Sequence, residues 1–142
     1  MFQAVTNTRV PRITFMFGAS FGAGTYGMCG QGYDPDFVFS WPNIDIGVMG
    51  GESAAKTMSH VMLAGARRKG IEIPEEQIAA QEQRIIDHFD AQSDAFYTSG
   101  RMLDDGVIDP RDTRKVLGFV LQTCWEARHR KTCPNTFGVG RM

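Results

Sequence analysis

The sequence is poor in features that would fix a function class at once. It has only three cysteines, Cys29, Cys124 and Cys133, with no C-x-x-C spacing. An odd number at such spacing excludes a disulfide scaffold or a zinc finger and fits free thiols in a reducing compartment. The net charge is −1, which gives no case for nucleic acid or an anionic membrane surface as a partner. No apolar run approaches the roughly 20 residues that span a bilayer. The opening stretch MFQAVTNTRVPR lacks a signal-peptide core, so secretion is not expected. The three histidines, His60, His88 and His129, join no cluster with metal-ligand spacing, and no metal is expected. There are no internal repeats and no low-complexity tracts. What remains is 142 residues, 42% hydrophobic, which suits one soluble globular unit or part of a larger one.

Glycine is what the chain has in plenty, and most of its 16 glycines precede residue 52. The stretch that organises the rest is RITFMFGASFGAGTYGMCG, residues 12–30. An apolar run over 13–17 stops at Gly18. A loop with Gly18, Gly22, Gly24 and Gly27 follows, and a helix-compatible segment takes over near Tyr26. Strand, tight turn and helix start place backbone N–H groups where a bound group can approach them without a Cβ in the way. A helix start adds unpaired donors and partial positive charge. The expectation is a backbone site for an anion or oxyanion.

Three motifs compete for this stretch. Residues 18–22, GASFG, fit the G-x-S-x-G nucleophile elbow with Ser20 as nucleophile. Residues 22–27, GAGTYG, fit the dinucleotide fingerprint G-x-G-x-x-G. The third reading is a crotonase-like oxyanion loop, in which amides act and no side chain does. A phosphate P-loop is excluded, because no Gly-Lys-Ser/Thr follows.

Taken in order, residues 1–9 read as the tail of a helix, with Pro11 closing it. A chain that begins inside a helix predicts that Met1 is a truncation point. Residues 12–17 read as a strand apolar enough to be buried on both faces. Residues 36–41 and 44–49 read as two more strands. After Gly50-Gly51, Glu52 opens an amphipathic helix to about Lys69, with Ala55, Met58, Val61, Met62 and Ala66 on its inner side. Pro74 starts a helix running to about Tyr97, with Ile78, Ile85, Ile86, Phe89 and Phe96 inward. Glu82, Arg84 and Asp87 read as its solvated face. Asp104-Asp105-Gly106 reads as a turn, and Asp109 with Pro110 caps a last helix. The class is α/β, with parallel pairing wherever a helix connects strands.

The elbow reading needs an acid and then a histidine on a loop after a strand. All three histidines fall in predicted helices, and no strand is predicted after residue 50. The dinucleotide reading needs a glycine directly after the strand, whereas Gly22 comes five residues after Phe17. It also needs an acid about 20 positions on, which falls on Asp45 inside a strand. Cys29 reads as a buried filler and Glu52 as a first-turn carboxylate.

Four motifs together resemble one family. GASFGAGTYGMCG (residues 18–30) is similar to the G-G/A-S-F/Y-G-A-G-N-Y-G-M-C-G loop of the carboxyltransferase (beta) subunits of biotin-dependent acyl-CoA carboxylases. WPNIDIGVMGGESAA (41–55), DDGVIDPRDTRKVLG (104–118) and the ending FGVGRM resemble its W-P-N…V-M-G-G-E-x-A-A, D-D-G-x-I-D-P-x-D-T-R-x-V-L-G and F-G-V-x-R-M. The methylcrotonyl-CoA branch is nearest and the geranyl-CoA branch next. Thr25, where asparagine is usual, and Ser53, where glutamine is common, depart from the pattern.

The resemblance implies a crotonase-like (ClpP-type) fold of β-β-α units, of which residues 1–133 would be the C-terminal part and 134–142 a tail. It implies carboxyl transfer from carboxybiotin to an acyl-CoA, with the oxyanion hole at the backbone N–H groups of Ala23 and Gly24. Substrate contacts would fall at Phe21 and Gly22. Biotin would arrive on an alpha subunit, and beta subunits would form a homo-oligomer. The compartment would be bacterial cytoplasm or mitochondrial matrix. From other classes, a serine hydrolase using Ser20 and a non-catalytic interaction fragment remain as alternatives.

Overall fold

In the computed structural model, which describes residues 1–131, the chain opens with α1 (Phe2–Asn7). Thr8 leaves it in an extended conformation ahead of Pro11. β1 (Ile13–Met16), β2 (Ala19–Phe21) and α2 (Ala23–Gly27) follow, then a 3-10 turn at Gln31–Tyr33. β3 (Phe37–Ser40), β4 (Asp45–Gly47) and α3 (Gly51–Arg68) repeat the order strand, strand, helix. The remainder is α4 (Glu75–Asp90), α5 (Ala95–Gly100), a 3-10 turn at Pro110–Asp112 and α6 (Thr113–His129). Cys133, the expected tail at 134–142 and the FGVGRM ending lie outside the described residues. Among the described residues no helix is long and apolar enough to cross a membrane.

Consecutive strands do not pair with each other. β1 runs parallel to β3, with Ile13 opposite Phe37 and Met16 opposite Ser40. β2 runs parallel to β4, with Ala19 opposite Asp45 and Phe21 opposite Gly47. Parallel partners need a crossover, and the segment containing α2 supplies it. Two β-β-α units therefore lie side by side, each adding one strand to each of two ladders. This is the α/β architecture of the crotonase-like expectation. The core they share is small: Met16, Val38, Ile44 and Ala95 are buried, with Ile46 and Val107 packed against them.

The second edge of β3 is taken by residues 105–108. Asp105 N–H donates to the Val38 carbonyl (2.7 Å), Ser40 N–H to Gly106 (3.1 Å) and Ile108 N–H to Ser40 (2.9 Å). The two aspartates of the D-D-G motif reinforce this. Asp105 Oδ2 accepts from Val38 N–H at 2.7 Å, and buried Asp104 accepts from the Ser40 hydroxyl and from Gly106 N–H. The predicted turn is thus also a strand extension. Trp41 Nε1 donates to Thr113 Oγ1 at 3.0 Å, which ties the W-P-N and D-T-R motifs together.

Several expectations are corrected. β1 is buried on both faces only at Met16; Ile13, Thr14 and Phe15 are half-buried, because β3 is the one strand paired with it among the described residues. The single helix over 74–97 is two. Asp94 ends the first by capping α5, accepting from Phe96 and Tyr97 N–H at 2.8 and 3.0 Å. Pro74 is the residue before α4, not its first, and Phe96 is 67% exposed. Glu82 is half-buried rather than fully solvated. On α3 the inner line is Ala55, Ser59, Met62 and Ala66, while Met58 and Val61 face outward. The two lines differ by less than one helical step, so the sequence pattern alone fits either.

Small residues on that line let α3 and α4 come close. A Cβ on Gly51 would stand 3.2 Å from both the Cα and the carbonyl oxygen of Ile86, whereas one on Gly50 would meet nothing within 4 Å. Gly51→Val is expected to destabilise the fold by about 1–3 kcal/mol through overpacking. Gly50→Ala is expected to leave it unchanged. Urea midpoints measured side by side check this; equal effects would contradict the close helix approach.

Candidate functional site

The glycine-rich segment is pinned to β4 at both ends. Asp45 N–H donates to the Gly18 carbonyl (2.7 Å) and Gly22 N–H donates to the Gly47 carbonyl (3.0 Å). Between these clamps the chain forms β2, which the sequence pattern had read as loop. Gly22 has φ +60° and ψ −139°, a conformation that L side chains rarely adopt. A Cβ there would also lie 3.0 Å from the Val48 carbonyl oxygen. The reversal at Gly22 starts α2 at Ala23, three residues earlier than expected, so Tyr26 lies in its last turn.

Ala23 and Gly24 are exposed. Thr25 N–H turns back to the Gly22 carbonyl (3.2 Å), but the N–H groups of Ala23 and Gly24 have no acceptor among the described residues. A Cβ on Gly24 would meet nothing within 4 Å, so open space lies beside these donors. Ser20 Oγ and Thr25 Oγ1 are 2.8 Å apart and bridge β2 to α2. Thr25 is held from the far side as well, its carbonyl accepting Gly30 N–H at 2.8 Å.

Two crevices flank the loop. One, of about 190 Å³, is lined by residues including Thr14, Phe15, Ser20, Thr25 and Met28. The other, of about 340 Å³, is lined by residues including Gly22, Tyr26, Ile46, Val48 and Leu103. Among the described residues neither has an acidic, basic or histidine side chain in its wall. A wider cleft of about 850 Å³ lies between β4, α4 and α5, and Phe21 lines it with His88, Asp90 and Arg101. Of the four predicted site residues, Ala23 and Gly24 therefore sit together at the turn. Gly22 faces the apolar crevice and Phe21 the wide cleft.

The resolved shifts in acidity concern α6 and its approach. Side-chain hydrogen bonding from Arg111, assisted by its backbone N–H, lowers the exposed Asp109 carboxyl to about 2, and the same pairing raises Arg111. Burial raises the Cys124 thiol. Cys29 and Cys124 are both buried and free.

The competing motifs do not find their partners. The hydroxyl of Ser20 pairs with Thr25 and with no histidine; His88 contacts Gln92, and His129 contacts the Trp125 carbonyl. For the dinucleotide reading, Gly22 does directly follow a strand once β2 is recognised. That removes one objection. However, α2 has only five residues, and Asp45 stands at the start of β4 rather than at its carboxyl end. Among the described residues no group of three or more His, Cys, Asp or Glu is placed to hold a metal.

Sequence reasoning missed the Ser20–Thr25 bridge and the walls contributed by Val48 and Leu103. The hydroxyls five residues apart were a signal for the first. Leu103 comes from the turn after α5, its N–H on the Thr98 carbonyl, and nothing local pointed to it.

Comparison with known proteins adds the following. A family model described as the carboxyl transferase domain matches residues 1–139. The chain is 46% identical over its full length to the mitochondrial methylcrotonoyl-CoA carboxylase beta chain of Arabidopsis thaliana, of which it covers 24%. The crystal structure of the P. aeruginosa geranyl-CoA carboxylase beta subunit superposes with a TM-score of 0.81 at 41% identity, over 99% of this chain and 26% of that one. Transcarboxylase 12S, described as a hexamer with methylmalonyl-coenzyme A bound, gives a TM-score of 0.68 at 27% identity, over 97% and 24%. The chain spans about a quarter of the length of these relatives.

Proposed function

This chain belongs to the carboxyl transferase domain family, and from that premise we propose that its 18–30 loop receives carboxybiotin in the carboxyltransferase (beta) subunit of a biotin-dependent acyl-CoA carboxylase. The observation that carries the reading is the pair of exposed N–H groups at Ala23 and Gly24, which among the described residues have no acceptors and stand beside crevices free of acid, base and histidine. Such a site stabilises an anionic oxygen and leaves proton movement to the reactants. The open space beside Gly24 fits the ureido oxygen of biotin. When bound, biotin carried by an alpha subunit would supply the carboxyl group and the base for the acyl-CoA. Ala23 and Gly24 hold the ureido oxygen through dipoles fixed in advance. Removing one such donor costs about 10²–10³-fold in rate. Gly22 and Phe21, which precede them, line the neighbouring apolar crevice and the wide cleft.

The acyl-CoA is methylcrotonyl-CoA in the first reading, supported by the Arabidopsis relative. Geranyl-CoA is the second, supported by the close superposition on the geranyl-CoA carboxylase beta subunit. Assembly of beta subunits into a homo-oligomer is supported by the hexamer assembly of the 12S relative. The corresponding compartment is the mitochondrial matrix or the bacterial cytoplasm.

The test replaces the matched quarter of a methylcrotonoyl-CoA carboxylase beta chain with residues 1–142 and assembles it with the biotin-carrying subunit. The exchanged enzyme is expected to carboxylate methylcrotonyl-CoA within about tenfold of its parent. Preference for geranyl-CoA would select the second reading. An assembled enzyme inactive on both, or stoichiometric labelling of Ser20 by a fluorophosphonate, would overturn the proposal.

A further inference from the structure

Resting on the carboxyl-transfer reading, we infer that Ser20 and Thr25 are positioning residues, whose hydroxyl pair latches β2 to α2 across the two free amides. The geometry is specific. The two oxygens are 2.8 Å apart and part-buried. Between them the chain passes through Gly22 and Gly24, where backbone freedom is greatest. Gly22 N–H is fixed on Gly47, and Thr25 N–H on Gly22. The donors between those two fixed points, Ala23 and Gly24, have no acceptor of their own to set their direction among the described residues. The hydroxyl pair is the side-chain link that closes this span.

Thr25 is suited to act as the post. Its N–H and carbonyl are both engaged, the latter by Gly30 N–H at 2.8 Å. Its branched Cβ leaves two favoured χ1 rotamers in a helix, and the contact with Ser20 Oγ selects between them. Ser20 is half-buried in the middle of β2, paired across the ladder with Ile46. One end of the latch is therefore anchored in a sheet and the other in a helix. Removing either hydroxyl leaves both anchors and frees the span between them. A donor pair aimed less well stabilises the transition state less while substrate binding elsewhere is untouched.

The exchanged carboxylase subunit provides the experiment. Ser20→Ala and Thr25→Val are each expected to lower kcat about tenfold with KM for the acyl-CoA unchanged. Their combination is expected to lose no more than either alone, because both remove the same link. Thr25→Ser, which keeps the hydroxyl, is expected to restore most of the rate. Hydrogen exchange of the 19–30 segment in the same variants is expected to quicken at Gly22 and Thr25 while β1 and β3 stay protected. Additive losses, no loss, failure of Thr25→Ser to restore, or exchange that quickens across the whole chain would each overturn the latch. The underlying site stands or falls separately, on whether a blocking side chain at Gly24 stops transfer.

Discussion

Gly24→Val abolishes carboxyl transfer and leaves the fold intact. That is the expected result in the exchanged subunit, and it follows from two observations at one residue. A Cβ at position 24 meets nothing within 4 Å beyond its chain neighbours and its own helix, so a side chain there displaces no packed neighbour. The space it fills is the open space beside the two free N–H groups, which the ureido oxygen needs. Excluding the anion from both donors forfeits more than the 10²–10³-fold typical of losing one, so a loss beyond about 10³-fold is expected. Ser20→Ala, by contrast, keeps about a tenth of the rate, because its hydroxyl positions and does not react. Thermal unfolding run with the carboxylation assay separates loss of chemistry from loss of structure. An active Gly24→Val protein, or a dead but folded Ser20→Ala protein, would show that a side chain rather than the amides carries the reaction.

The 142-residue chain purified alone is expected to associate and to carboxylate nothing. Its surface carries large apolar side chains at high exposure, among them Phe17 (61%), Phe119 (71%), Trp125 (60%) and Val10 (61%). β1 pairs on one edge only among the described residues, and an open edge invites pairing with other chains. Exposed apolar surface on this scale marks an interface. Among the described residues the crevices beside the amides hold no side chain able to replace the acid-base work of bound biotin. Size-exclusion chromatography with light scattering, beside an assay with carboxybiotin and methylcrotonyl-CoA, checks both halves. A stable monomer with turnover would mean that this segment forms a complete site on its own.

The parts of this fold legible in the sequence are those with strong local patterns. β1 and β3 are continuous apolar runs, and α3 begins where Gly50-Gly51 breaks the chain. The boundary at residue 94 was also written locally, in an aspartate that caps α5, but the apolar periodicity running through it concealed the break. β2 was not legible. Its three residues contain only one large apolar side chain, and they become a strand because β4, some two dozen residues later, offers them a partner. The early start of α2 follows from the same cause, since pairing through Phe21 forces the reversal at Gly22. For the site, glycine spacing was enough to point to amides. Their lack of acceptors and the hydroxyl bridge above them are tertiary facts that no spacing rule contains.

The parallel ladders have one more consequence. Phe17 and Gly18 alone separate β1 from β2, whereas Trp41, Pro42, Asn43 and Ile44 separate β3 from β4. Both ladders still advance together, so the longer connection has to bulge. It does so at Pro42 and Asn43, which are exposed, while Ile44 N–H closes the turn on the Trp41 carbonyl at 3.2 Å and the Ile44 side chain returns to the core. Length differences between successive repeats thus collect at one outward corner. Insertions and deletions at that corner alter the protein's outline and keep the strands in phase. The short step through Gly18 has no such slack, and a single added residue there would carry the whole amide-bearing turn out of register with β4.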